Sequence, residues 1–299
     1  RLALFYARTA TFLKPGRDDA AVLTGDLLVD EAQPSLALAA YGAVGADAPL
    51  ALAALAGKVN VLESIGQADV AVDDLLAGVA IAAAAELERM LKSDSEKIIA
   101  LGTGRALKAT VDQLPRMSCP HHRIVSRLGN MMSDGSATPY NATIQMAERV
   151  GAKHYPYPLP VLAKDKEELD RLHGQEAVRN TIELCNRADL TLVGVGQLDD
   201  TAPIHVDGFA NDDEMARLVA AGAVGEITSW VYDRDGNLLD CAHNQIVASA
   251  PLPRSAEGLV IGVAVGKAKV PAIHAALRGK LINGLITSEA TAERILAFK

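Results

Sequence analysis

Four consecutive residues, Gly102-Thr103-Gly104-Arg105 within "KIIALGTGRALKATVDQLP", are the first candidates for chemistry in this chain. Glycines let the backbone turn tightly and approach an anion closely. A helix that follows such a turn aims its N–H groups and positive dipole end at the same point. Thr103 adds a hydroxyl and Arg105 a charged clamp. That chemistry is phosphate binding, in a catalyst's phosphate loop or in a loop that only holds a phosphorylated ligand. The third glycine of a dinucleotide fingerprint is missing, and so is the GK[ST] ending of a P-loop, so the motif alone also fits a plain tight turn.

Lys269 strengthens the phosphate reading. It follows the apolar run "LVIGVAVG" and so stands at a second strand end. A single lysine is usually a solvated surface charge, but a lysine and a GTGR loop on one sheet edge form a phosphate pocket. Gly129-Asn130 and Gly194-Val195-Gly196 end two further apolar runs and are placed to close its walls. An isomerase or deaminase would need carboxylates and often a histidine for proton transfer. Asp199, Asp200, His205 and Glu226 are the candidates, with a solvated acidic turn the plainer account of Asp199-Asp200. His205 and His243 lie in polar stretches without a spaced partner and read as hydrogen-bonded structural residues. Cys119-Pro120-His121-His122 gathers a thiol and two imidazoles, but its spacing does not supply a tetrahedral zinc set. No metal or cofactor is expected. Trp230 in "EITSWVY" reads as a packed strand aromatic.

The elements that must position these residues alternate. "KIIAL", "HRIVSRL", "DLTLVGVG", "GLVIGVAVG" and "LINGLIT" read as strands. "ALKATVDQL", "YNATIQMAERV", "KEELDRLHGQEAVRNTIELCNRA", "DDEMARLVAA", "VPAIHAALRG" and "SEATAERILAF" read as helices, the last capped by Thr287 or Ser288. "KHYPYPLP" reads as an extended segment broken by prolines, and "EITSWVYDRDGNLLD" as a hairpin around Asp235-Gly236. The repeated strand-then-helix order predicts an α/β fold, a mostly parallel sheet with helices on both faces. Ligands of such sheets bind beyond the carboxyl ends of the strands, where the glycine loops fall.

Ahead of this, "VDDLLAGVAIAAAAELERMLKS" reads as a long helix with Asp73 and Asp74 near its start and Arg89 and Lys92 near its end, a charge order that suits the dipole. The first ~75 residues are Ala-rich and weakly periodic. "RLALFYARTATFL" predicts a short helix ending before Pro15-Gly16, and "LALAALAGKVNVLESI" a helix, a turn at Gly57 and a second helix. The expected division is residues 1–60 as a small, mainly helical N-terminal region and 61–299 as the ligand-binding domain.

Global properties bound the class. The 299 residues suffice for one large α/β domain and a small one. A net charge of −8 argues against broad electrostatic binding to nucleic acid, though not against a small DNA-reading module. Cys119, Cys185 and Cys241 are scattered, so neither a disulfide framework nor a zinc ribbon is expected, and a reducing, cytosolic setting is. The apolar run 36–55 is interrupted by Gly42, Gly45, Asp47 and Pro49 and makes a poor membrane span. The chain opens on Arg1 rather than Met, so a few further native residues are expected ahead of it.

From about Gly78 to Lys299 the chain resembles the effector-binding domain of SorC/DeoR-type bacterial transcriptional regulators. The matching stretches, in order, include "LGTGRALKATVDQLP", "HRIVSRLGNMMSDGSA", "AKHYPYPLP", "ADLTLVGVGQLDDTAP", "AGAVGEITSWVYDRDGNLLD", "VASAPLP" and "VIGVAVGKAKVPAIHAALRGKLINGLITSEATAERIL". The resemblance implies a fold similar to glucosamine-phosphate deaminases and ribose-phosphate isomerases, with a phosphorylated sugar or polyol bound and not transformed. It implies Gly102, Thr103, Gly104 and Arg105 as the phosphate loop, Gly129 and Asn130 as a second wall, Gly196 and Gln197 as the third loop, and Glu226 and Lys269 as ligand contacts. Where the deaminases carry a "GHIAF"-like segment, this chain reads "GVGQLDDTAPIH", so the catalytic set is not preserved and no catalytic residue is assigned. It also implies homodimers or homotetramers and operator DNA bound through the N-terminal region. Two departures stand out. Many members have Asn-Asp-Arg where this chain has Asn244-Gln245-Ile246, which speaks against a second anionic group on the ligand. The N-terminal helix-turn-helix pattern does not continue past "RLALFYA", and "LAGKVNVLESI" offers only Lys58 to a DNA phosphate. An isomerase or deaminase-like enzyme is the alternative reading.

Overall fold

The computed structural model describes the chain except residues 1, 2, 5, 8, 9, 11–13, 15, 46, 47, 65–67, 133, 134, 139–141, 200, 253–257 and 299. The chain forms two compact units, Arg1–Gly78 and Val79–Lys299, so the division falls inside a helix that runs from Ala68 to Leu91.

The first unit is helical: α1 (Asp18–Asp30), α2 (Pro34–Gly42), α3 (Ala51–Ser64) and the beginning of α4 (Ala68–Leu91). The helix expected over residues 1–13 lies largely outside the described residues. The turn expected at Gly57 is absent, because α3 runs through it unbroken. Tyr41 explains the glycine: a Cβ on either Gly57 or Gly25 would overlap its ring, and its hydroxyl donates to Asp26 at 2.7 Å. Gly57 is there for a close approach between helices, not for a bend. The start of α4 is also earlier than the acidic pair suggests, so Asp73 and Asp74 lie in its second turn.

The second unit is built on a six-stranded sheet of order β3-β2-β1-β4-β8-β9, every pair parallel. The strands are β1 (Ile98–Leu101), β2 (Arg123–Met131), β3 (Lys153–Pro160), β4 (Leu190–Gly194), β8 (Leu259–Val263) and β9 (Gly284–Ile286). Between them run α5 (Arg105–Gln113), α6 (Ala142–Val150), α7 (Lys166–His173), α8 (Glu176–Asn186), α11 (Val270–Arg278) and the closing α12 (Glu289–Ala297). All four residues of β1 are buried, as the Ile-Ile-Ala-Leu run requires of a strand covered on both faces. Ile98, Ala100, Val125 and Tyr157 pack with Val178, Leu184 and Cys185 of α8. Val193 packs in a second cluster with Ile273 and Ala276 of α11 and Ile295 of α12.

One expectation is corrected here and another is extended. "KHYPYPLP" is not a broken segment but β3 itself, at the edge of the sheet. Proline has no N–H to give a ladder, and Pro156, Pro158 and Pro160 alternate along the strand, so they fall on one side of an edge that has only one neighbour. The hairpin expected around Asp235-Gly236 is present, with Tyr232 bridged antiparallel to Leu238, and a turn at Thr228-Ser229 precedes it, between β6 (Ala223–Ile227) and β7 (Trp230–Asp233). Asp235-Gly236 makes a second turn after β7, closed by Asp233 N–H to Asn237 O at 2.9 Å. β6 and β7 join β5 (Gly196–Gln197) in a three-stranded sheet, antiparallel throughout, beside the main one. Helices α9 (Pro203–Val206) and α10 (Asp212–Ala220) fill the connection from β5 to β6.

Candidate functional site

Chain order reverses direction at β1 and β4. From β1 the sheet grows outward to β2 and β3, then resumes on the other side with β4, β8 and β9. A crevice opens past the carboxyl ends at such a switch point. Gly102 follows β1 there and donates its N–H to Leu192 O of β4 at 2.8 Å. A Cβ on Gly194 would stand 3.1 Å from Thr103 O, so the loops after β1 and β4 lie backbone against backbone.

Two glycines share one unusual conformation. Gly104 caps α5 with φ +117° and ψ 169°, and Gly266 leads into the 3-10 turn Lys267–Lys269 with φ +117° and ψ 150°. Only glycine adopts that region readily. Neither position has an atom within 4 Å of where a Cβ would sit, and neither first turn receives a side-chain cap. The start of α5 therefore presents its backbone N–H groups and dipole to an anion.

Lys269 turns inward from the second of these loops. Its Nζ donates to Val195 O at 2.5 Å, the residue between Gly194 and Gly196. Burial pulls the ammonium down to about 8, and the charge of Arg105 adds to the fall, while Glu226 and Asp199 oppose it. Glu226 stands opposite Gly196 across the β5–β6 pairing, and a Cβ on Gly196 would overlap its Oε1. Gly196 is thus the space that admits the carboxylate. Glu226 is only 8% exposed, and burial raises its pKa, with Asp207 adding to the rise against the Ser229 N–H and Lys269. Asp207 is also raised by burial, with Arg105 opposing. Two cations, Arg105 and Lys269, and the carboxyls of Glu226, Asp207 and Asp199 so act on one another's charge.

The β6–β7 turn completes it. Thr228 and Ser229 have φ of 50° and 70°, the paired positive values of a tight hairpin turn, without the Gly or Asn that normally supplies them. Ser229 N–H donates to Glu226 Oε2 at 2.9 Å, and the buried His243 Nε2 meets Ser229 O at 2.9 Å. The turn packs against the phosphate-loop candidate: a Cβ on Gly102 would be 3.0 Å from Thr228 Cγ2. On β5, Gln197 Nε2 donates to Thr201 Oγ1 at 3.0 Å, and Thr201 in turn donates to Asp199.

Gly102, Thr103, Gly104, Arg105, Gly196, Gln197, Glu226 and Lys269 are therefore assembled around the switch point. Gly129 and Asn130 differ from expectation. They lie inside β2 rather than in a loop beyond it, and a Cβ on Gly129 would overlap Leu159 O of β3. Gly129 serves the close β2–β3 pairing, where the register shifts. His205 is tied locally to Ala210 O and Asp212, and Asp200 lies outside the described residues. The Cys119–His122 cluster holds the end of α4: His122 accepts from Lys97 N–H and meets Leu91 O, and Cys119 also donates to Leu91 O. Among the described residues no group of three or more His, Cys, Asp or Glu is arranged to hold a metal ion. Residue-level reading missed Asp207, Thr228 and Ser229. The positive-φ turn carries no glycine or asparagine to announce it.

A doubly wound parallel sheet with its polar residues gathered past the strand ends defines the class, a ligand-binding α/β domain. The family model "Sugar-bind", described as "Putative sugar-binding domain", matches residues 58–297. The erythritol catabolism regulatory protein EryD of Brucella abortus is 29% identical over 210 residues, 70% of this chain and 66% of that protein. The sorbitol operon regulator of Klebsiella pneumoniae is 27% identical over 205 residues, 67% of this chain and 64% of that one. The crystal structure of full-length SorC from Klebsiella pneumoniae superposes with a TM-score of 0.64 at 26% identity, covering 74% of this chain and 72% of that one. The chain belongs to this sugar-binding domain family, and within it to the SorC/DeoR type. Its match spans less than two thirds of the length of these two curated relatives, 66% and 64%. Among the described residues no helix is long and apolar enough to cross a membrane.

Proposed function

We propose that this chain is the sensing part of a transcriptional regulator of carbohydrate or polyol metabolism, and that it binds a phosphorylated sugar or polyol at the switch point. The observation that carries this is the pairing of the Gly104-capped start of α5 with Lys269, which is anchored on Val195 O beside Glu226. Gly102–Arg105 and Lys269 hold the phosphate. Gly196, Gln197 and Glu226 face the rest of the ligand, and Gly129 and Asn130 border it from β2. The ligand is held and not transformed. It shifts a homodimer or homotetramer between states of different operator affinity, which requires that it bind one state more tightly than the other. Operator DNA is bound through the N-terminal region.

Thermal unfolding against a panel of sugar and polyol phosphates tests the reading. At a hundredfold excess over Kd, a ligand adds about 2.7 kcal/mol of stability. At least one member of the panel should raise the melting temperature, and Thr103→Val or Lys269→Met should remove the rise. Absence of any shift across the panel contradicts it. A second reading draws on Glu226 and Lys269, a carboxyl raised and an ammonium lowered by burial, the pattern of an acid–base pair. Turnover of pentose or aminosugar phosphates that disappears in Glu226→Gln would favour an isomerase or deaminase instead.

A further inference from the structure

Buried polar atoms without partners cost stability unless something else satisfies them. Two such atoms lie on the small antiparallel sheet beside the phosphate loop. Thr228 is 6% exposed and its Oγ1 has no hydrogen-bond partner. Gln197 is 8% exposed, and although its Nε2 is used by Thr201, its Oε1 has no partner.

Their setting is not that of idle core residues. Thr228 occupies a backbone conformation unfavourable for a β-branched residue, at φ 50°. Strain of this kind persists only where the surroundings hold it. Here Ser229 N–H is tied to Glu226 and Ser229 O to His243, so the turn is fixed from both sides. Its threonine methyl is pressed toward Gly102. Gln197 sits on β5 opposite Gly225, next to the Gly196–Glu226 pair.

The two sheets thus differ in chemistry. The parallel sheet offers donors and positive charge: the start of α5, Arg105 and Lys269. The antiparallel sheet offers the Glu226 carboxylate, the Gln197 carbonyl and the Thr228 hydroxyl. The first set suits a phosphate. The second suits neutral groups that can donate, which on a sugar or polyol are hydroxyls.

We propose that Thr228 Oγ1 and Gln197 Oε1 bind hydroxyl groups on the carbon skeleton of the phosphorylated ligand, so that the antiparallel sheet is the wall that reads which polyol or sugar is attached. This rests on the phosphate-binding reading above and adds the residues that set specificity. A hydroxyl-binding site left unpaired by a ligand without that hydroxyl discriminates strongly, which gives these two residues leverage over ligand choice.

The test uses the full chain and isothermal titration with ethyl phosphate, a phosphate monoester with no hydroxyl on its carbons. The comparison ligand is the tightest binder from a panel of tetritol to hexitol phosphates and pentose and hexose phosphates. Thr228→Val keeps the shape and removes only an unpartnered hydroxyl. It should leave ethyl phosphate affinity unchanged and the melting temperature no lower than that of the wild type, while weakening the panel ligand ~10-fold, as expected for one lost hydrogen bond. Gln197→Met should likewise spare ethyl phosphate affinity and weaken the panel ligand, with a lower melting temperature because it also loses the hydrogen bond to Thr201, and Lys269→Met should weaken both ligands. If no panel member binds more tightly than ethyl phosphate, or if Thr228→Val and Gln197→Met leave the preference unchanged, the hydroxyl wall is wrong. If Lys269→Met changes neither affinity, the phosphate site itself is misplaced, whatever the other variants do.

Discussion

Lys269 shows how much a single side chain depends on its surroundings. As a residue in a sequence it is one lysine among many; in the fold it is pinned to Val195 O and held at about 8 by burial. A phosphate monoester is a dianion throughout the range from 7 to 9, because its second ionisation lies near 6. Affinity for it should therefore be near its full value at pH 7, about half of that at pH 8, and fall by nearly tenfold per unit beyond as the ammonium loses its proton. Titration calorimetry at pH 7, 8 and 9 checks this, and Lys269→Met should flatten the profile. The place of Lys269 and the GTGR loop beyond strand ends was legible, because a glycine before a helix and a cation after an apolar run mark such ends in the sequence. The turn at Thr228 was not, since it rests on a positive φ that the side chain does nothing to advertise. Gly129 was misplaced for a related reason. A glycine inside a strand and one at its end look alike until the neighbouring backbone is known.

Elements were easier to recognise than their limits. Strands β1, β4 and β8 announced themselves as apolar runs and α10 as the helical stretch "DDEMARLVAA", which the structure shows capped reciprocally by Asn211 and Glu214. Gly57 failed as a turn signal because the reason for it lies on another helix. The Tyr41 ring fills the space that a Cβ at Gly57 or Gly25 would need. This reverses the ordinary effect of a helix substitution. On an open helix face Gly→Ala gains up to ~1 kcal/mol. Gly57→Ala should instead destabilise by about 1–3 kcal/mol, the usual cost of overpacking, with Tyr41 or a backbone displaced. Chemical denaturation of the wild type and Gly57→Ala decides the sign. Restoration of stability in Gly57→Ala with Tyr41→Leu would identify the ring as the cause.

For the whole molecule, strand and helix alternation predicted a parallel sheet, but not the order β3-β2-β1-β4-β8-β9. Neighbour choice depends on how helices pack across the faces, which no local pattern records. One global property follows from residues scattered through the second unit. His122, His154 and His243 all have pKa values lowered by burial. The unfolded chain takes up those protons first, near 6.5, so stability is full above that pH and declines as the pH falls through it. Glu226, whose pKa is raised, works the other way as it protonates. Unfolding by denaturant should show a lower midpoint at pH 5.5 than at pH 7. The loss should be smaller in His122→Gln, a variant with one fewer buried imidazole to charge.

The prolines of β3 carry a consequence for assembly. A sheet lengthens from chain to chain only where an edge can exchange N–H···O bonds with its neighbour. Pro156, Pro158 and Pro160 remove those donors from one border, and the opposite border is β9, three residues long. Any oligomer of this protein that continues the sheet across subunits must do so through Gly284–Ile286. Subunits that meet at the β3 side must meet by side-chain packing, which leaves such an interface able to slide or reopen without tearing a backbone ladder.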